Sequence, residues 1–136
     1  MNRHTIHHHV TPNPTAEWFE ETFDQNGWRG AWRNGIYGWH HYHTTTHEVL
    51  GCYAGSARVQ LGGPDGEIVD LEAGDVVIIP AGVAHRNLGS TGDFTVVGAY
   101  PDGVSPDLQR GPGDPSLDLP APLADPVLGP GRGISA

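Results

Sequence analysis

Two stretches of this chain carry side chains whose types and spacing can do chemistry. The first is Gly35-Ile36-Tyr37-Gly38-Trp39-His40-His41-Tyr42-His43-Thr44-Thr45-Thr46-His47-Glu48, and the second is Gly74-Asp75-Val76-Val77-Ile78-Ile79-Pro80-Ala81-Gly82-Val83-Ala84-His85. On an extended strand, side chains alternate between faces, so His41 and His43 share one face while His40 and Tyr42 take the other. A tight connection through Thr44–Thr46 lets the next strand bring Glu48 beside that pair. His85, after the stiff Pro80-Ala81-Gly82 turn, can close the set. Three imidazoles and a carboxylate suit a first-row divalent ion such as Mn, Fe, Co, Ni or Zn. A closed structural zinc site would more often use cysteines, and Cys52 is the only one.

The same parity sorts the neighbours. His47 adjoins Glu48 and should face away from it. Tyr37 and Trp39 share the face of His41 and are expected to line the interior as substrate-pocket residues, or simply to pack there. Asn87, two residues past His85, is the third expected pocket residue. Cys52 lies on the Glu48 face and reads as a small buried hydrophobe. Arg33 and Arg86 are the arginines placed to meet an anionic substrate at a rim, although exposed arginines more often solvate a surface.

Short strands must position these residues. The pattern predicts strands over 37–44, 47–53, 56–61, 66–71, 75–79, 84–88 and 93–100. Gly62-Gly63-Pro64-Asp65-Gly66 forms a hairpin connection. One helix is predicted over 15–26, with an apolar stripe of Trp18, Phe19, Thr22 and Phe23 and an end at Gly27. The His-rich start, His4 and His7-His8-His9, reads as a first strand or a frayed end, with loose metal binding as the alternative. Residues 101–136 hold eight of the 12 prolines and read as an arm that wraps the core, docking through Leu117, Leu119, Leu123, Val127 and Leu128. The chain thus divides into an N-terminal segment (1–34), a β core (35–100) and a Pro/Gly-rich arm (101–136) within one domain. Many short strands and one helix give an all-β antiparallel sandwich or barrel.

Composition removes several classes of function. The chain has 136 residues, a formal charge of −9 and seven basic residues, all arginine and scattered. Phosphate backbones need clustered positive charge, so nucleic acid and anionic membrane are not expected partners. The longest aliphatic run, Val76–Ile79, is far too short to span a bilayer. No apolar signal core stands at the start, so a cytoplasmic location is the default expectation.

These stretches resemble the cupin family. Gly35, His41, His43, Glu48 and Gly55 match its G-x5-H-x-H-x4-E-x6-G pattern. Gly74, Pro80, Gly82 and His85 match G-x5-P-x-G-x2-H, although Gly89 stands where the family pattern has Asn. The chain also resembles a subgroup of small stand-alone bacterial cupins, through Trp32–Tyr37, Thr46–Gly51, Val97–Pro101 and Asp125–Gly129. The resemblance implies a jelly-roll β-barrel and a divalent metal on His41, His43, Glu48 and His85. It also implies a homodimer that covers the open sheet edges. Similar cupins include dioxygenases and metal-dependent isomerases. The function it implies is a metal-dependent, dioxygenase-like oxidoreductase acting on a small anionic or enolisable molecule, with Glu48 as the ionisable catalytic group. The alternatives are an isomerase or decarboxylase, or a non-catalytic binder of a small molecule or metal.

Overall fold

A computed structural model describes all 136 residues. The chain runs β1 (Thr5–His7), α1 (Ala16–Gln25), β2 (Trp28–Asn34), β3 (His41–Tyr42), β4 (Glu48–Ala54), β5 (Ser56–Leu61), β6 (Glu67–Glu72), β7 (Val76–Ile79), β8 (His85–Ser90), β9 (Thr95–Pro101), β10 (Gln109–Arg110), β11 (Ala124–Asp125) and β12 (Gly129–Pro130). Two five-stranded antiparallel sheets, ordered β1-β7-β4-β9-β2 and β10-β3-β8-β5-β6, carry the fold, and β11 and β12 pair separately. Helix α1 covers the outer face of the first sheet.

The core explains the strand sequences. Leu50, Cys52, Val77, Ile79 and Val96 of the first sheet meet Ala57, Val59, Leu61 and Leu71 of the second. On the other face of the first sheet, Val49, Val76, Ile78, Val97 and Ala99 pack on Phe19 and Phe23 of α1. β7 is therefore buried on both faces, which is why all four of its residues are aliphatic. The Thr15 hydroxyl caps α1 by accepting the Trp18 N–H at 3.1 Å. Gly27, at φ 80°, then turns the chain into β2.

The expected strands 56–61, 66–71, 75–79, 84–88 and 93–100 fall within two residues of β5 to β9. Residues 37–44 do not form one strand: only His41–Tyr42 joins the ladder, and 37–40 is an irregular loop. Trp28–Asn34, read as part of the N-terminal segment, is an edge strand of the first sheet. Beyond β9, residues 101–136 lie along the core. β10 pairs with β3, setting Arg110 opposite His41. Of the expected docking residues, Val127 packs against the core beside α1, whereas Leu123 is 93% exposed; the fully buried Asp125 is a further anchor. Its carboxylate accepts the Val127, Leu128 and Ile134 N–H groups and lies 2.9 Å from His7 Nε2.

Candidate metal centre

Three strands of both sheets converge on one buried point. Glu48 opens β4 on the face of Leu50, looking between the sheets. His85 opens β8 and pairs directly with His41 of β3. His43 follows two residues after His41. Glu48 Oε1 lies 3.4 Å from His43 Nε2 and 3.2 Å from His85 Nε2. One ligand atom from each of His43, Glu48 and His85 falls within 4.8 Å of the others, the spacing a metal ion needs.

His41 departs from the expected set. Its ring lies against that of His85, with centroids 4.0 Å apart, but 6.1 Å from that of His43. It lines the same cavity without joining the three-residue cluster. His41 stands directly opposite His85 in the β3–β8 ladder, which sets its ring against that of His85.

Backbone carbonyls set the tautomers. His41 Nδ1 lies 3.0 Å from the Trp39 carbonyl and His85 Nδ1 3.2 Å from that of Val83, while His43 Nδ1 meets the Asp107 carbonyl of the arm. A carbonyl can only accept, so each Nδ1 carries a proton, which leaves Nε2, turned to Glu48 in His43 and His85, as the nitrogen a metal would take.

The electrostatics agree. Burial alone would raise the Glu48 carboxyl, but His43 and His85 beside it hold it well below the usual carboxylate range. Burial would lower the His43 imidazole, yet contact with Glu48 raises it. Burial and the neighbouring His85 push His41 down to about 4, leaving it neutral at physiological pH.

A cavity of about 460 Å³ opens over this cluster. Trp32, Ile36, Leu50 and Tyr100 wall it, and Pro106 and Leu108 bring the arm to its edge. Asp107 pins that edge by accepting the N–H groups of Thr44 at 2.7 Å and Thr45 at 3.2 Å. Of the expected pocket residues, Tyr37 lies at the mouth, 52% exposed and stacked on Trp39 with centroids 4.5 Å apart. Trp39 is not in the cavity wall; it packs edge-on to His41 beneath the Arg110 guanidinium. Asn87 is also outside the wall. Its Oδ1 accepts the Gly89 N–H at 2.8 Å and its Nδ2 donates to Ser90 Oγ at 3.1 Å, closing a local turn. His47 faces away from the cluster, accepting the Ala81 N–H on Nδ1 and donating from Nε2 to the Pro120 carbonyl, both at 2.9 Å.

Sequence reasoning missed Trp32 and Tyr100. Tyr100 was legible in principle, because period two along β9 puts it on the face of Val96 and Gly98. Trp32 was lost with β2. It enters the cavity because it lies over Gly98, where a Cβ would stand 2.2 Å from the indole.

Comparison with known proteins agrees with this fold. Residues 32–97 match the family described as the cupin domain. A protein of Bacillus subtilis (strain 168), uncharacterized protein YjlB, is 45% identical over 92 residues, or 68% of this chain. The chain spans 56% of that protein's length. The acireductone dioxygenase of Bacillus anthracis, a structure with a cadmium ion in its active center, superposes with a TM-score of 0.50 at 16% identity, over 76% of this chain and 82% of that one. At that identity the likeness is one of fold. No helix is long and apolar enough to cross a membrane. With the fold and the family match in agreement, residues 32–97 of the chain form a cupin domain.

Proposed function

We propose that His43, Glu48 and His85, with His41 beside them, hold one divalent transition metal (Fe, Mn, Ni, Co or Zn), and that the protein is a metal-dependent, dioxygenase-like oxidoreductase acting on a small enolisable or anionic molecule. The observation that carries this reading is the buried Glu48 carboxylate, 3% exposed, facing imidazoles whose Nδ1 atoms are tied off by backbone carbonyls. Such a carboxylate needs a cation, and the Nε2 atoms of His43 and His85, 3.4 Å and 3.2 Å from it, are placed to share a metal with it. When bound, a divalent ion supplies Lewis-acid stabilisation of an enolate and, if redox-active, electron exchange with oxygen.

The chain's own residues do the rest. The apolar walls exclude water, and the Asp107 segment holds His43 in its tautomer. Glu48 is the ionisable group at the cavity floor, so Glu48→Gln is expected to lower turnover more than first binding of substrate. A homodimer and cytoplasmic residence belong to the same proposal. The free edges of β6 and β2 support the first, and twice the chain mass by light scattering would match it. The unpaired, buried Cys52 fits the second.

The test loads metal-free protein with Fe(II), Mn(II), Ni(II) or Zn(II) and screens enols and diketones with an oxygen electrode. Oxygen uptake with a redox metal but not with zinc is the expected result. Conversion that proceeds equally well under nitrogen would replace this reading with an isomerase or decarboxylase. Stable binding without any conversion would point to a non-catalytic binder.

A further inference from the structure

His8 and His9 follow β1 and meet the turn that joins β6 to β7. Two backbone bonds fix the chain there: the His9 N–H donates to Asp75 Oδ1 at 3.1 Å, and the Val10 N–H to the Gly74 carbonyl at 2.9 Å. Consecutive residues of an extended chain point to opposite sides, which would separate the two rings. His9 breaks that alternation with a φ of 51°, in the left-handed region that few residues other than glycine adopt. Both imidazoles consequently approach the same oxygen, His8 Nδ1 at 3.3 Å and His9 Nδ1 at 4.0 Å from Asp75 Oδ1. The far nitrogen of His9, Nε2, lies 3.5 Å from Glu72 Oε1.

These separations are wider than ordinary N–H···O hydrogen bonds, which run to about 3.2 Å. They are close to the spacing of atoms around a metal, where bonds of about 2.0–2.2 Å at tetrahedral angles set neighbouring ligands roughly 3.4 Å apart. Asp75 is buried and fixed by the His9 and Glu72 N–H groups. The two rings, with centroids 6.1 Å apart, are 57% and 67% exposed, so side-chain rotation alone closes them on an ion.

The charges favour a cation. Arg58, in the same groove, is already taken by Asp70 at 3.0 Å. Glu72 and Asp75 therefore leave two negative charges beside the imidazoles, which a divalent ion balances. Glu72 beside Nε2 fixes the His9 tautomer and frees Nδ1, the arrangement in which a carboxylate orients a metal-ligating histidine from behind. Two imidazoles and a carboxylate suit Zn, Ni or Cu. None of these four residues lines the cavity over Glu48.

We infer that His8 Nδ1, His9 Nδ1 and Asp75 Oδ1 form a second metal site, separate from the buried cluster, which takes an exchangeable divalent ion such as zinc, and that Glu72 orients the His9 ring.

The test starts from protein loaded with zinc and passed through gel filtration, and adds further zinc by isothermal titration. A site with three protein ligands, open to water, gives up its ion on the column, so one further equivalent should bind in the micromolar range. His8→Gln combined with His9→Asn should weaken that equivalent about tenfold or more, with the thermal midpoint of the metal-free protein unchanged. Asparagine is chosen because it accepts the left-handed backbone at position 9. His4→Gln, whose ring lies by Glu67, should leave the second equivalent as it is. No second equivalent below millimolar zinc would overturn the inference. A combined variant within about twofold of wild type, or loss of the equivalent in His4→Gln, would overturn it as well. Protein that takes one zinc in all, kept in His85→Ala and lost in the combined variant, would uphold this site and remove only the buried one.

Discussion

Consecutive residues His47 and Glu48 end in opposite environments, and the reason is one step of strand parity. Glu48 points between the sheets, while His47 points outward and ties the Pro80-Ala81-Gly82 turn to the arm. Its Nδ1 accepts the Ala81 N–H and its Nε2 donates to Pro120. Burial pushes its pKa down, so it acts as a neutral bridge. His47→Ala leaves the buried Ala81 N–H and the partly buried Pro120 carbonyl unpaired and is expected to cost about 1–3 kcal/mol in urea unfolding, with metal content unchanged. Metal loss equal to that of a ligand variant would show that the parity assignment is wrong. Parity was readable for Glu48, Leu50 and Cys52 because β4 is a regular strand. It misled for Trp39, where 37–40 is a loop, and for Asn87, where the register between β5 and β8 shifts at Arg58/Val59. Alternation means nothing where the ladder is broken.

At the level of elements, glycines decide which layers can approach. Gly51 sits in β4 beneath α1, and a Cβ there would stand 2.5 Å from the Phe19 ring and 2.9 Å from that of Phe23. Gly51→Ala is therefore expected to cost about 1–3 kcal/mol of stability through overpacking, with the metal site intact on the opposite face of the sheet. Denaturant unfolding beside metal analysis checks both halves, and an unchanged midpoint would contradict this packing. The longer strands were legible because alternation and turn glycines bound them. β2 was not, since Trp28-Arg29-Gly30-Ala31-Trp32-Arg33-Asn34 has one mostly exposed face and a register shift between Arg29 and Trp32. β3, β10, β11 and β12 have two residues each, too few for any period to show.

At the scale of the molecule, the arm is held to the core by hydrogen bonds from Asn26, Trp28 and His47 and by the His7–Asp125 contact as well as by the apolar packing of Val127 and Ile134, a feature its Pro/Gly composition hides. Burial alone would raise the Asp125 carboxyl, but His7 and the Leu128, Val127 and Ile134 N–H groups lower it to about 2. A depressed folded-state pKa contributes stability that is complete above the unfolded value of about 3.9 and lost as pH falls toward 2. Asp125→Asn is expected to flatten the acid-unfolding curve between those pH values, and an unchanged curve would contradict this anchoring. The family pattern and the candidate metal site rest on the same short set of spacings, so metal binding is the property to measure. The direct measurement is the metal content of purified wild-type protein and of His85→Ala after dialysis against excess zinc and gel filtration. One zinc per chain in the wild type and less than a fifth of that in the variant is the predicted result; equal occupancy in the two, or none in either, would contradict it.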